Sequence, residues 1–407
     1  MRLPTTFAAF RHRNYRLWFV GQTISITGTW MQSVAQSWLI YDLTGSKLAL
    51  GTVSFLGSLP TLFLMLPSGA VADRIPRRKL LLLTQSAMMV LAFIRAALAA
   101  TGVLRVWHIA LLAACLGVAQ SFDAPARQAL VVEMVEDRKD LLNAIALNST
   151  IFNLGRIIGP AIGGMVLAAV GAAWCFALNG ASFVAVIVAL WCMRLRPSQQ
   201  GRQRSQGLLA DAREGLRYVA RNRIILAMIG LTGFANLFGM SYATLMPVYA
   251  ADVLRVGERG LGILNAAVGV GALVGSLTLA SLTRYRRKGL LLAVGSILFP
   301  LSALLYGFSR SFPLSLFCLA LVGWAIVTQN SSNNTLIQTL CPDELRGRVM
   351  SVFTLMIFGT SPFASLQAGM IAQFLGPTAG VAVGAGLVLL FACYTHWRTP
   401  ALRGLEA

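Results

Sequence analysis

Long apolar runs, separated by short segments that carry most of the charge, dominate this 407-residue sequence. Hydrophobic residues make up 57% of the chain and charged residues only 12%, whereas soluble domains carry about 25% charged residues. A chain with so little charge cannot cover a water-facing surface, so lipid must surround most of it. In lipid only helices and closed barrels satisfy every backbone hydrogen bond, and apolar runs without period-two alternation favour helices. The sequence therefore predicts an all-α membrane protein.

Twelve of these runs are long enough to cross a bilayer, which requires about 20 residues each. The predicted spans are 15–40, 48–72, 79–101, 107–127, 143–170, 173–193, 224–250, 260–282, 289–308, 312–339, 348–375 and 377–395. Several exceed one perpendicular crossing, so we expect tilted helices or protruding helix ends. The first run shows no small-residue cleavage pattern, so we expect it to remain as the first helix.

The formal net charge of +20 is distributed unevenly among the loops. Lys and Arg are concentrated before span 1, between spans 2 and 3, between spans 4 and 5, throughout 194–223, in 284–288 (Arg284, Arg286, Arg287 and Lys288), between spans 10 and 11, and after span 12. The intervening loops hold only Lys47, Arg105, Arg255, Arg259 and Arg310. By the positive-inside rule, this asymmetry predicts a multi-pass inner-membrane protein with both termini in the cytoplasm. The basic residues would meet lipid headgroups, and no nucleic-acid partner is expected.

The longest loop divides the chain into two parts of similar size. We expect a six-helix half over 1–193, a cytoplasmic linker over 194–223, a second six-helix half over 224–395 and a cytoplasmic tail over 396–407. The second part of the linker is amphipathic and predicts an interfacial helix, with a disordered linker as the alternative. The halves show faint repetition, because Gly164 and Gly171 recur at the same offset as Gly369 and Gly376.

Two motifs are compatible with a protein that changes conformation. The turn between spans 2 and 3 contains Gly69, Asp73, Arg74, Arg77 and Arg78. Gly69 would permit close helix approach, and the charged cluster would hold one conformation shut and break in another. The alternative is a simple positive-inside anchor, against which the acidic Asp73 argues.

The second motif lies in span 5 and consists of Gly155, Arg156, Gly159, Pro160, Gly163 and Gly164. Glycines four residues apart provide a smooth face for tight helix packing, and proline bends a helix. Such a helix suits an element that rocks between two states. A purely structural kink is the alternative.

Both motifs resemble those of the major facilitator superfamily. Residues 69–79 resemble the motif between helices 2 and 3 of that family, and residues 155–164 resemble the helix 5 motif of its drug and proton antiporters. Segments 10–17, 122–128 and 342–349 resemble the branch that contains the enterobactin exporter and macrolide-type efflux proteins. The resemblance covers nearly the whole chain and implies export by alternating access, energised by the proton gradient. The chain departs from the pattern at Pro76, where glycine is usual, and near 275–288, where no acidic residue matches Asp73.

Three charged residues inside the predicted spans are candidates for a functional role. Asp123, toward the cytoplasmic end of span 4, is the candidate for proton coupling, because a buried carboxylate can exchange a proton. An ion pair between Asp123 and Arg127 is the alternative. Arg95 and Arg156 lie inside spans 3 and 5, where arginine usually faces the protein interior, a partner or a watery cavity. Arg156 could bind an anionic substrate, and Arg95 could instead extend outward to the membrane surface.

Polar and aromatic residues recur at membrane depth and predict a central substrate cavity, with interhelical hydrogen bonding as the alternative for each. The candidates are Gln22, Trp30, Gln32, Gln36, Arg95, Asn148, Asn153, Arg156, Asn236, Tyr242, Trp324, Thr328 and Gln329.

We therefore expect a monomeric, proton-coupled exporter of amphiphilic small molecules, such as drugs or siderophores. The alternatives are a solute importer or lysolipid flippase of the same fold, or a transport-inactive scaffold or sensor. An enzyme is not expected, because no nucleophile–base pair or metal-ligand set is visible among the dispersed His12, His108 and His396. The absence of a Walker motif argues against an ATP pump, and no cofactor or metal is expected.

Overall fold

The computed structural model describes residues 5–135, 137–194, 208–282 and 287–406. The predicted basic loop residues Arg284 and Arg286 and the first part of the linker lie outside these ranges. The described chain is helical almost throughout and divides into two compact units.

The first unit comprises Met1–Leu43, Leu56–Gln203 and Glu258–Gly262. Its helices are α1 (Arg13–Thr44), α2 (Lys47–Arg74, whose first residues belong to the second unit), α3 (Arg77–Ala100), α4 (Val106–Met134), α5 (Leu141–Val170) and α6 (Ala172–Cys192). A core at one end of the unit packs the buried rings of Tyr15 and Trp18 against Leu81, Leu130 and Leu190.

The second unit comprises Thr44–Phe55, Arg204–Gly257 and Ile263–Ala407. Its helices are α7 (Leu208–Arg221), α8 (Arg223–Gly239), α9 (Ser241–Val248), α10 (Gly257–Ser281), α11 (Lys288–Phe308), α12 (Phe312–Leu340), α13 (Asp343–Phe358), α14 (Ser361–Leu375) and α15 (Pro377–Arg398). A π-helical turn, Tyr249–Val253, follows α9. Ile225, Met228, Leu292 and Leu336 lie in one of its buried clusters.

Eleven helical segments of the described chain are long and apolar enough to cross a membrane. They correspond to the second through twelfth predicted spans. Helix α1 is not among them, although it is 32 residues long. The polar residues that the sequence places in this helix, including Gln22, Gln32 and Gln36, reduce its apolar character.

Two predicted spans are present as candidate spans, but the helix is interrupted within each. Span 7, predicted as 224–250, breaks at Met240 into α8 and α9. The break follows Gly239, which has low helix propensity. Span 11, predicted to begin at 348, begins at Asp343 and breaks at Gly359 between α13 and α14. Pro362 lacks the N–H that would bond to the carbonyl of Phe358, so the helix ends there.

The repeated glycines occupy matching positions in the two units. Gly171 separates α5 from α6 and Gly376 separates α14 from α15, with φ of +85° and +89°. Such left-handed conformations favour glycine. Gly164 packs against Gly262 in the first unit, and Gly369 packs against Gly51 in the second. The faint sequence repetition therefore coincides with equivalent turns and close helix contacts.

Candidate functional site

The first unit contains a buried carboxylate held by polar side chains from a neighbouring helix. Asp123 on α4 is 3% exposed. Its Oδ1 accepts hydrogen bonds from Thr84 Oγ1 at 3.0 Å and from Gln85 Nε2 at 2.9 Å, both on α3. Its Oδ2 lies 3.5 Å from Nη2 of Arg127. The ion pair considered as the alternative is thus present, within a cluster that also solvates the carboxylate.

Thr84 and Gln85 were not among the predicted site residues. Both are buried, and Gln85 Oε1 has no hydrogen-bond partner in the described structure. Their sequence signal was a polar pair within the apolar run that becomes α3. The same criterion that selected Gln22 in α1 would have found them.

Arg95 is a buried cation without a visible partner. Its side chain, on α3, is 1% exposed. None of its three guanidinium nitrogens has a hydrogen-bond partner in the described structure. The alternative in which Arg95 extends outward is therefore wrong. An unpaired buried charge is costly, so its retention suggests a partner that is present only in another state.

Arg156 on α5 lies near an aromatic ring of α1. Its guanidinium carbon is 5.9 Å from the centroid of the Trp30 ring, within cation–π distance. Both side chains are half-buried. Arg127 lies in the same way 5.0 Å from the centroid of Phe152, also on α5. The two arginines of this region are therefore stabilised in part by aromatic faces.

The glycine face of α5 packs directly on α1. A Cβ added to Gly159 would lie 2.5 Å from Cβ of Trp30, and one added to Gly155 would lie 2.5 Å from Cγ2 of Ile26. A Cβ on Gly163 would lie 3.0 Å from Cα of Met31. No larger residue fits at Gly155 or Gly159 without movement of α1. Pro160 lies inside α5, within the same stretch.

The charged turn after α2 anchors neighbouring helices of the first unit. Arg77 Nη1 lies 2.6 Å from Oε1 of Glu133 near the end of α4, and Arg78 Nη2 donates to the carbonyl of Trp191 at 2.9 Å. Arg74 is exposed, and the side chain of Asp73 lies outside the described part of the structure. No described atom lies within 4 Å of a Cβ placed on Gly69, so the expected close helix approach is not seen there. The sequence did not identify Glu133.

The second unit has its own polar centre between α8 and α12. Asn333 Nδ2 donates to the carbonyl of Met228 and to Oγ1 of Thr232, both at 2.6 Å. Gln329 Nε2 donates to the carbonyl of Leu231 at 3.4 Å, and Asn236 Nδ2 to that of Thr232 at 2.9 Å. Gln329 thus bonds between helices, whereas Asn236 bonds within its own helix.

Some of the other predicted cavity residues are buried, and the rest are half-buried. Gln32 is buried and accepts a hydrogen bond from Asn179 Nδ2 at 2.9 Å, which joins α1 to α6. Trp324 is half-buried, and its Nε1 donates to Thr278 Oγ1 at 3.4 Å. Gln22, Tyr242 and Thr328 are also buried, and Gln36, Asn148 and Asn153 are half-buried.

Several polar or aromatic side chains of the first unit are half-buried and so remain partly exposed. They are Trp30, Gln36, Asn148, Asn153 and Arg156. Their chemistry suits a ligand with hydrogen-bonding groups and an aromatic or apolar body, because they combine amides, a cation and an indole. Among the described residues no group of three His, Cys, Asp or Glu side chains could hold a metal ion.

Comparison with known proteins places nearly the whole chain in one family. A family model described as a transmembrane secretion effector matches residues 4–406. The multidrug efflux pump Tap of Mycolicibacterium fortuitum is 29% identical over 359 residues, which cover 86% of this chain and 87% of Tap. The enterobactin exporter EntS of Escherichia coli O81 is 29% identical over 387 residues, which cover 93% of this chain and 90% of EntS.

Solved transporter structures share the fold at low sequence identity. A bacterial homologue of the human lysosomal transporter Spinster, in an inward-facing and unoccupied conformation, has a TM-score of 0.73 at 14% identity and covers 99% of this chain and 98% of its own. A POT family transporter in complex with 5-aminolevulinic acid has a TM-score of 0.75 at 13% identity and covers 96% of each chain.

Proposed function

Because this chain belongs to the transmembrane secretion effector family of the major facilitator superfamily, we propose that it exports amphiphilic small molecules, such as drugs or siderophores, in exchange for protons. The protein is a multi-pass inner-membrane transporter with eleven apolar helices long enough to span the bilayer in its described residues. The observation that carries the proposed direction is the similarity, over 86% and 93% of the chain, to two proteins that are both exporters.

Asp123 is the proposed proton carrier. Its carboxylate is buried in a membrane-spanning helix, beside a cation and two polar side chains. Arg127, at 3.5 Å, is close enough to stabilise the charge, and Thr84 can turn its hydroxyl either to donate or to accept.

The substrate is proposed to contact the half-buried group of the first unit. Trp30 offers an aromatic surface, Arg156 a cation, and Gln36 and Asn153 hydrogen-bonding amides. A molecule with an aromatic or apolar body and polar substituents matches this set. In the second unit Trp324 is the corresponding half-buried aromatic residue, and Tyr242, Thr328 and Gln329 would act after a change of conformation.

The proposed architecture is the one expected from the chain itself. Helix α1 also crosses the membrane, as the first of twelve spans. Both termini are cytoplasmic, and the protein works as a monomer. The halves 1–193 and 224–395 are connected by the linker 194–223, and 396–407 form a cytoplasmic tail. Alternating access would move the substrate, with α5 and the 69–79 turn as the elements that change.

Everted membrane vesicles with an acidified lumen test this function. Addition of a cationic dye, a macrolide or a catecholate siderophore should release luminal protons in vesicles that contain the protein and not in vesicles that lack it. Arg156→Ala and Asp73→Asn should impair transport while membrane insertion is unchanged. Movement of labelled lysolipid without any response to drugs would instead indicate a flippase, and no response to any compound would indicate a scaffold.

A further inference from the structure

A basic cavity that is widely open to the surface lies where helix α7 meets the start of α8. It has a volume of about 440 Å³ and is lined by Tyr218, Arg221, Asn222, Arg223 and Ile224. Arg221 and Arg223 are exposed, and Tyr218 is half-buried. The size is within the range of about 300–1,000 Å³ that is usual for small-ligand sites. Two of the lining residues are arginines, whose guanidinium groups favour anionic partners.

Several arginines of this region have no acidic partner among the described side chains. Arg213, Arg217 and Arg221 are exposed and spaced four residues apart on α7, so they share one face. None of the ion pairs among the described residues includes these three or Arg223. The nearby Glu214 instead pairs with Arg348 at 2.7 Å. The surface therefore has several cations free to bind an external anion.

A cavity at the start of a membrane-spanning segment is expected near the lipid headgroups. Arg223 is the first residue of α8, which begins a membrane-spanning segment, Arg223–Val253. Leu226, one turn further along, is 47% exposed, and Leu216 on α7 is 56% exposed. Exposed apolar side chains on the same two helices as these arginines suit a molecule with an anionic head and acyl chains. Tyr218 is also a residue type that favours the membrane–water interface.

The opposite face of α7 is fixed to the protein. Val219 is buried, and a Cβ on Gly215 would lie 2.7 Å from the carbonyl oxygen of Arg348. Asn222 caps α8, because its Oδ1 accepts hydrogen bonds from the backbone N–H groups of Ile224 and Ile225. The inner face of α7 is therefore packed, and the start of α8 is capped, on either side of the lining arginines.

We propose that this cavity binds the phosphate of one anionic phospholipid, such as phosphatidylglycerol, and thereby attaches α7 to the membrane surface. Arg221 and Arg223 bind the phosphate oxygens, Tyr218 lies beside the headgroup, and Leu226 contacts an acyl chain. The site requires only that α8 enters the membrane at Arg223, and it is independent of what is transported and in which direction.

Native mass spectrometry of the purified full-length protein, titrated with phosphatidylglycerol or with zwitterionic phosphatidylcholine, tests the site. The wild type should retain one phosphatidylglycerol more tightly than phosphatidylcholine. The double variant R221Q/R223Q should bind it roughly 30-fold more weakly, because each basic residue near a membrane surface contributes about one kcal/mol to anionic-lipid binding. R221K/R223K keeps the charge and should keep most of the affinity.

The matched control is R398Q/R403Q, which removes the same charge from two exposed arginines at and beyond the end of α15. Equal affinities of R221Q/R223Q and R398Q/R403Q for phosphatidylglycerol would overturn the proposal. So would full displacement of the lipid by millimolar inorganic phosphate, since the site would then bind a free anion. Thermal unfolding of each variant without lipid establishes that the proteins compared are folded. If the double variant does not fold, Arg221→Gln and Arg223→Gln singly should each weaken binding about five-fold.

Discussion

At the scale of single residues, this protein buries two charged groups, Asp123 and Arg95, within its membrane-spanning helices. A charged side chain that faced lipid at these positions would not be tolerated. Asp123 is surrounded by a hydroxyl, an amide and a guanidinium. Arg95 has no such partners in the described structure. The first arrangement suits a group that exchanges a proton, and the second suits a group whose partner arrives with a substrate or another conformation.

Asp123→Asn is expected to uncouple export from the proton gradient. Asparagine preserves the shape of the carboxylate and one hydrogen-bonding oxygen but cannot release a proton. We expect at least a tenfold fall in proton-driven export, with little change in membrane insertion. Proton release on substrate addition in everted vesicles measures the effect. Asp42→Asn, at an exposed aspartate of α1, is the control and should transport normally; wild-type coupling in Asp123→Asn would exclude the proposed role.

Arg95→Met is expected to stabilise the protein while it impairs export. Methionine fills much of the same volume without a buried charge, and such replacements of buried charges often stabilise by about 1–4 kcal/mol. A higher midpoint of thermal unfolding in detergent, together with lower export, is the expected pair of results. Arg95→Lys keeps the charge and should not raise the midpoint. A lower midpoint for Arg95→Met would mean that Arg95 has a stabilising partner.

At the scale of helices, α5, one of the elements proposed to move, is in close backbone contact with α1. Gly155, Gly159 and Gly163 follow one face of α5 at intervals of four residues and bring its backbone against α1. In membranes such close approach replaces the hydrophobic effect as a source of helix association, because lipid is as apolar as leucine.

Gly159→Val is expected to separate these two helices. Its side chain would overlap Trp30, and overpacking of this kind usually costs about 1–3 kcal/mol. Folded yield and the thermal midpoint should both fall. Gly386→Val provides the matched control, because no described atom lies within 4 Å of a Cβ at that position of α15. Similar losses in both variants would show that the effect reflects helix propensity alone.

At the scale of the whole molecule, the distribution of Lys and Arg predicts which loops face the cytoplasm. In a variant without its native cysteines, Thr101→Cys, in the exposed turn between α3 and α4, should react with an impermeant thiol reagent from outside intact cells. Arg403→Cys, after α15, should react only in everted vesicles. Labelling of Arg403→Cys from outside would contradict the proposed orientation.

The sequence by itself determined the all-helical membrane fold, the approximate positions of eleven spans and the family. An apolar run of about 20 residues in lipid has to form a helix, because it can satisfy its backbone hydrogen bonds in no other local way. The glycine pattern of 155–164 likewise identified a packing face without further information, because small side chains are what close contact requires.

Only the tertiary structure decided which polar residues meet. Glu133 pairs with Arg77, Asn179 with Gln32, and Thr84 with Asp123. The members of each pair come from different helices, and the rotation of each helix about its axis selects the partner. The same packing placed Arg95 in the interior rather than toward the membrane surface. Sequence patterns specify which face of a helix is polar, but the polar groups that complete each contact are set by how the helices pack.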